Sequence, residues 1–248
     1  MNAYYNWGDR SVLGDVDKVI QTTGDTALRS AAQRAYVNLS TLPGPETVSE
    51  MIVIWQRAFE LCENPNEARK LMGFLVQNPD PDIAAMVGKW RGHTSHGALA
   101  KSTAETMTKL IAGIAELKPG EEMKGNKARV RGDKRAAINS ATSSLTSWVS
   151  PETWFSWNFK APETGVYFVE VSQSYLQEAP SQFVVYLAGK TLPGESKMTG
   201  ALDKFETIRL KSPVHLEAGK VYAISLAAGQ RVQPRMMDIG GIRIVKAE

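Results

Sequence analysis

Apolar residues fall at helical spacing as far as Leu117 and at every second position from about residue 128 onward. A period of 3.6 buries one stripe of a helix, and a period of two buries one face of a strand, so one layer cannot serve both. The chain therefore reads as a helical block followed by an antiparallel β block. Between them Pro119–Lys127 (Pro-Gly-Glu-Glu-Met-Lys-Gly-Asn-Lys) has linker composition. The expected organisation is a helical repeat domain over 1–118, a linker over 119–127 and a β-sandwich over 128–248.

The β block is organised around Gly165–Val171, where Tyr167, Val169 and Val171 share one face. Phe155, Trp157 and Phe159 alternate in the same way, and Lys160-Ala161-Pro162-Glu163-Thr164 joins the two strands as an antiparallel pair. Ala128-Arg129-Val130 opens the block with a short strand. Ala136–Ser147, rich in Ser, Thr, Ala and Asn, reads as a long loop into Trp148. Further strands carry Phe183/Val185/Leu187, Phe205/Thr207/Leu210, Tyr222/Ile224/Leu226 and Ile242/Ile244. Several short strands punctuated by Gly and Pro predict a β-sandwich.

The helical block divides at Gly24-Asp25, Leu42-Pro43-Gly44-Pro45, Asn64-Pro65-Asn66 and Asn78-Pro79-Asp80-Pro81. Asp25 is a good N-cap, and Thr47 or Ser49 opens the third helix. The last helix is expected from Ala98 to Leu117. Six helices in antiparallel pairs, each pair roughly forty residues long, match the period of HEAT-type solenoids.

The order of these elements resembles helical-repeat segments of large secreted or periplasmic proteins from planctomycete-like bacteria. The residues that carry this are Ala27-Leu28-Arg29 with Arg34-Ala35-Tyr36-Val37-Asn38-Leu39, then Trp55–Leu61, then Asn66–Leu75. Trp7-Gly8-Asp9 stands where such segments open their first pair. The helix that should precede it is missing, and an uncapped solenoid end exposes apolar surface, so an upstream truncation is expected. The second half, residues 124–248, looks like the galactose-binding-like jelly-roll modules at the C-termini of bacterial glycoside hydrolases and sulfatases. The matching stretches are Trp154–Phe159, Thr164–Val171, Met198-Thr199-Gly200 before Phe205, Leu216–Gly219 and Met237–Ile244. The resemblance implies a fold, a periplasmic or extracellular location and a catalytic domain upstream in a longer chain. It contains no catalytic motif.

Composition narrows the function classes. With 29 Lys+Arg against 26 Asp+Glu the charge is nearly balanced, and the one basic run, Lys124–Arg135, is interrupted by Gly132-Asp133. That reads as a solvated loop and strand, not a nucleic-acid surface. No apolar run reaches the length of a membrane span, and Met1–Gly8 has no apolar core of a signal peptide. The single cysteine, Cys62, excludes an intramolecular disulfide and sits on an apolar stripe, as a small buried hydrophobe does. His93 and His96 are three apart, but Gly92 and Gly97 flank them and no third ligand follows, so a polar turn is the expectation. His215 has no neighbour to orient it as a base. No Gly-x-Ser-x-Gly elbow, catalytic triad or phosphate loop is present, and Glu121-Glu122 lie in the linker. The expectation is no enzyme, no metal and no cofactor.

Sugars offer apolar C–H faces to aromatic rings and hydroxyls to polar side chains. Trp157 alternates with Phe155 and Phe159 and belongs to the core. Trp154 points the opposite way, Trp148 lies at a loop–strand junction and Tyr175 follows a strand end. The expected glycan site is therefore Trp148, Trp154 and Tyr175 exposed at a sandwich rim or face, with Asn139, Gln173, Ser147 and Gln177 supplying hydrogen bonds. Two function classes follow. One is a non-catalytic carbohydrate-binding module on a helical spacer. The alternative is an adaptor that captures a protein along its helices.

Overall fold

The computed structural model describes residues 10–118, 120–132, 136–229 and 235–247. Trp7-Gly8-Asp9 and part of the Lys124–Arg135 run lie outside them. The chain divides into two compact units, Met1–Ile114 and Ala115–Glu248.

The first unit is helical: α1 (Leu13–Thr22), α2 (Thr26–Leu39), α3 (Val48–Glu60), α4 (Pro65–Val76), α5 (Pro81–Lys89) and α6 (Gly97–Ala112). The turn chemistry sets where each helix starts. Asp25 accepts from Ala27 N at 2.8 Å and Leu28 N at 3.1 Å, and Thr47 and Glu50 form a reciprocal capping box. Asn64 and Asp80 cap helices whose first residue is proline, where the missing N–H costs nothing. Each cap is worth about 1 kcal/mol. Val16, Tyr36, Leu39, Trp55, Phe59, Leu71, Leu75, Ile83, Val87 and Met107 share one core. Among the described residues the expected six helices are found, with one difference: α6 ends at Ala112, five residues short of Leu117. Leu117 packs instead in the β core, held by the bond from its N–H to Lys160 O at 3.0 Å.

The second unit contains two antiparallel sheets. The first holds β1 (Glu122–Lys124), β3 (Ala137–Asn139), β4 (Ser144–Thr146), β6 (Gly165–Ser174), β9 (Glu206–Arg209), β10 (Val214–Leu216) and β12 (Asp238–Lys246). The second runs β2 (Arg129–Arg131), β5 (Trp154–Lys160), β11 (Val221–Ala228), β7 (Gln182–Leu187), β8 (Lys190–Glu195). The inward set is largely the one the alternation assigns: Phe155, Trp157, Phe159, Tyr167, Val169, Val171, Phe183, Val185, Leu187, Tyr222, Ile224, Leu226, Ile242 and Ile244. The Phe205/Thr207/Leu210 strand is the exception, for in β9 Ile208 faces inward and Thr207 outward.

Three expectations are corrected here. The strands around Trp157 and Val169 do not pair with each other: β5 lies between β2 and β11 in one sheet and β6 between β10 and β12 in the other, so the 160–164 connection crosses from sheet to sheet. The linker over 119–127 is not a linker along its length, because β1 pairs with β12 (Met123 opposite Ile242) and Trp157 Nε1 donates to Lys124 O at 3.0 Å. Its Gly, Lys and Glu content reflects a short, half-buried strand of the sheet, which composition cannot tell from a tether. The supposed loop 136–147 contains the β3–β4 hairpin, and β4 adds to β12 through Leu145 opposite Ile239.

Candidate functional site

The strand ends bring Trp148, Trp154, Tyr175 and Gln173 to one end of the sandwich, but they are not exposed there. Trp148 is 1% exposed, edge-on to Phe155 (centroids 4.9 Å apart), and its indole N–H donates to Ser150 O and Thr153 O at 3.1 and 3.0 Å. Tyr175 is 2% exposed; its hydroxyl donates to Ala179 O at 3.1 Å, and its backbone is bound on both sides by Thr199. Burial raises the phenol pKa of Tyr175. Gln173 is fully buried and donates to Lys197 O at 3.0 Å, while its Oε1 has no hydrogen-bond partner among the described residues. The rim of stacking aromatics is corrected accordingly. A tryptophan at a loop junction finds backbone carbonyls for its N–H, and that lets it pack inward.

Trp154 does point away from the core, as its parity requires, and is absent from the core cluster. It is nonetheless 5% exposed. The Arg131 guanidinium lies 5.6 Å from its ring centroid, and a Cβ on Gly132 would stand 3.5 Å from it. On the same outer face Ser156 is 1% exposed and receives a bond from Arg131 Nε at 3.2 Å. Burial, and next the neighbouring Arg129, push the Arg131 pKa down to about 10. Around Trp154 and Ser156 this face of the sandwich is closed. Asn139 is exposed, yet its Oδ1 accepts from Ala141 N and Thr142 N within the hairpin turn.

The outer face of the other sheet is open. Val166, Phe168, Glu170 and Ser172 of β6 point outward beside Arg243 and Val245 of β12 and Thr207 and Arg209 of β9. Phe168 is partly exposed, with the Arg209 guanidinium 5.6 Å from its centroid. Glu170 accepts from Arg209 Nε at 3.0 Å, Arg209 Nη2 lies 2.8 Å from the same oxygen, and Arg243 Nη2 lies 3.5 Å from the second. Arg243 Nη2 also donates to Thr207 Oγ1 at 3.1 Å. Glu206 pairs with Gln173, so Phe205 follows opposite Ser174, again on the outer face. A Cβ on Gly240 would come 2.6 Å from Ser172 Oγ and 2.9 Å from the Phe205 ring. A side chain at 240 would therefore crowd the Phe205 end of the track. The Phe205 ring thus lies beside Ser172, four residues along β6 from Phe168, about 13 Å at roughly 3.3 Å per residue. Parity in the Gly165–Val171 strand marks Phe168 as outward-facing. What the sequence could not supply is which strand lies beside it.

In the helical unit the two histidines do not converge as ligands. His93 Nδ1 accepts from Ser95 N and His96 N, His96 Nε2 lies 3.2 Å from Cys62 O, and the two rings stack face to face 5.1 Å apart. Among the described residues no three His, Cys, Asp or Glu side chains form a metal-binding group. No helix among them is long and apolar enough to cross a membrane. Cys62 is 6% exposed, as expected, and burial, with Glu67 adding to it, pushes its thiol up to about 12. Its thiolate fraction near neutrality is negligible, so alkylation of the native chain at pH 8 should run at least a hundredfold slower than in denaturant. Equal rates in mass spectrometry would refute the burial.

No protein-family model matches the chain, and no curated protein does. Solved structures give partial likeness. A family 35 carbohydrate-binding module from Clostridium thermocellum is 13% identical, with TM-score 0.44 over 52% of this chain and 100% of that one. The GH26-CBM35 β-(1,4)-mannanase of Podospora anserina is 13% identical, with TM-score 0.42 over 53% of this chain and 28% of that one. The C-terminal CBM6 of a marine laminarinase from Zobellia galactanivorans is 20% identical, with TM-score 0.37 over 51% and 98%. Likeness at this level leaves the ligand to be argued from the residues themselves.

Proposed function

We propose that the chain is a non-catalytic carbohydrate-binding unit of a larger polysaccharide-degrading protein, working outside the cytoplasm. Its sandwich is of the galactose-binding-like jelly-roll kind, and its helical half is a HEAT-like spacer. A catalytic domain lies elsewhere in the longer protein. The observation that carries this reading is the open sheet face, where two partly exposed aromatic rings bracket Arg209, Glu170, Arg243, Thr207 and Ser172. Phenyl rings stack on the C–H faces of sugars, and the groups between them provide donors and acceptors spaced along an extended chain. Trp148, Trp154, Tyr175 and Gln173 then act one step back, fixing the loops at the end of the sandwich.

Two platforms with exposed hydrogen bonds typically give millimolar to micromolar affinity, about 4–8 kcal/mol. In affinity electrophoresis of the full chain through polysaccharide gels, retardation is expected with at least one glycan. It should fall tenfold or more in Phe168→Ala or Phe205→Ala, with the far-UV spectrum unchanged. Retardation that survives both substitutions would remove this face from the site. If no glycan retards the chain and its helical half captures a protein, the adaptor reading wins.

A further inference from the structure

We infer that the open sheet face selects acidic glycans, chains bearing carboxylate or sulfate groups; this rests on the carbohydrate-binding reading. Two arginines there share one carboxylate. Glu170 is tucked between them with its side chain 13% exposed, whereas Arg209 is 56% and Arg243 38% exposed. The carboxylate is thus spent on holding the two guanidiniums; Glu122, opposite Arg243 in β1, is engaged by Lys124 in the same way, so the net charge that reaches solvent is positive.

The unused edges decide the chemistry. Arg209 directs Nε and Nη2 at Glu170, and Arg243 directs Nη2 at Glu170 and Thr207. Nη1 of Arg209, with Nη1 and Nε of Arg243, have no partner among the described residues. A guanidinium offers a planar fork that matches carboxylate or sulfate oxygens, and its remaining N–H groups suit an anion better than a neutral hydroxyl. The arginines are also pre-positioned. Arg209 rests on the Phe168 ring, and both are tied to a carboxylate in mid-sheet, so less side-chain freedom is lost on binding. A polymer stacked on Phe168 would carry its anionic substituents over this pair. Its next residues would run along Thr207 and Ser172 toward Phe205.

The test uses the full chain and two probes, polygalacturonate and a neutral galactan, by calorimetry and affinity electrophoresis. Polygalacturonate is expected to bind at least tenfold tighter than the galactan, and raising salt from 50 to 500 mM should weaken it several-fold. Arg209→Gln or Arg243→Gln should each lose about tenfold for the acidic polymer and little for the neutral one. Glu170→Gln should gain a few-fold for the acidic polymer alone, because it removes the competing charge between the arginines while keeping an acceptor. Equal, salt-independent binding of both polymers would overturn the acidic selectivity and leave the glycan reading standing. Binding of neither would overturn both. Polyglutamate binding as tightly as polygalacturonate would overturn the proposal in favour of an acidic protein partner.

Discussion

Trp148→Ala should unfold the sandwich rather than weaken a ligand. The side chain is 1% exposed, packs edge-on to Phe155 and bonds two backbone carbonyls through its indole N–H. Its removal leaves a cavity that Phe155 and its neighbours cannot close, and strips Ser150 O and Thr153 O of their shared donor. Large aromatic-to-alanine changes in cores cost about 3–5 kcal/mol, a large share of the roughly 5–15 kcal/mol that holds a typical domain together. Urea unfolding followed by near-ultraviolet circular dichroism should show the midpoint collapse. An exposed stacking platform would behave in the opposite way, losing the ligand while stability stayed within about 0.5 kcal/mol. A wild-type midpoint in this variant would therefore restore Trp148 to a sugar site.

The second large effect is expected at Gly125. A Cβ there would stand 2.3 Å from Ile239 O, 2.9 Å from Leu145 N and 3.1 Å from Ser144 Cα. All three are backbone atoms, in or beside the β4–β12 pairing, so none can swing aside as a side-chain tip would. Gly125→Ala must push the 125–127 turn off the sheet, at a cost of about 3 kcal/mol, the upper range for overpacking. Gly73 provides the control: it lies within α4, and a Cβ added there would meet nothing within 4 Å. There the same substitution should stabilise by about 1 kcal/mol, because alanine is the better helix former. Thermal melts of the two variants should move in opposite directions. A neutral Gly125→Ala would mean that this turn does not sit against the sheet.

Local chemistry was legible wherever one segment decides its own structure. Asp25, Thr47 with Glu50, Asn64-Pro65 and Asp80-Pro81 start helices because each supplies an acceptor to N–H groups two or three residues on. The parity of Phe155-Ser156-Trp157 and Tyr167-Phe168-Val169 assigned the core correctly, since a strand has only two faces. Parity also turned Trp154 outward. It could not say that Arg131 and Gly132 would cover the ring, because that depends on β2 lying beside β5. The 119–127 stretch misled for a related reason. Polar and glycine-rich composition describes what a segment lacks, and the pairing of β1 comes from β12, over a hundred residues away.

Residue order alone thus settles the change from helices to strands, the caps that start the helices and the side of the long strands β5, β6, β7 and β11 that faces inward. These follow from hydrogen bonds and periodicities that span a few residues. Which outward side chains are open to solvent was settled by the folded arrangement instead. Burial of an outward residue is set by the strand or loop that lands next to it. Trp154 is covered in that way and Trp148 and Tyr175 pack into the core, while Phe168, Arg209, Glu170 and Arg243 meet on one face because β9 and β12 flank β6.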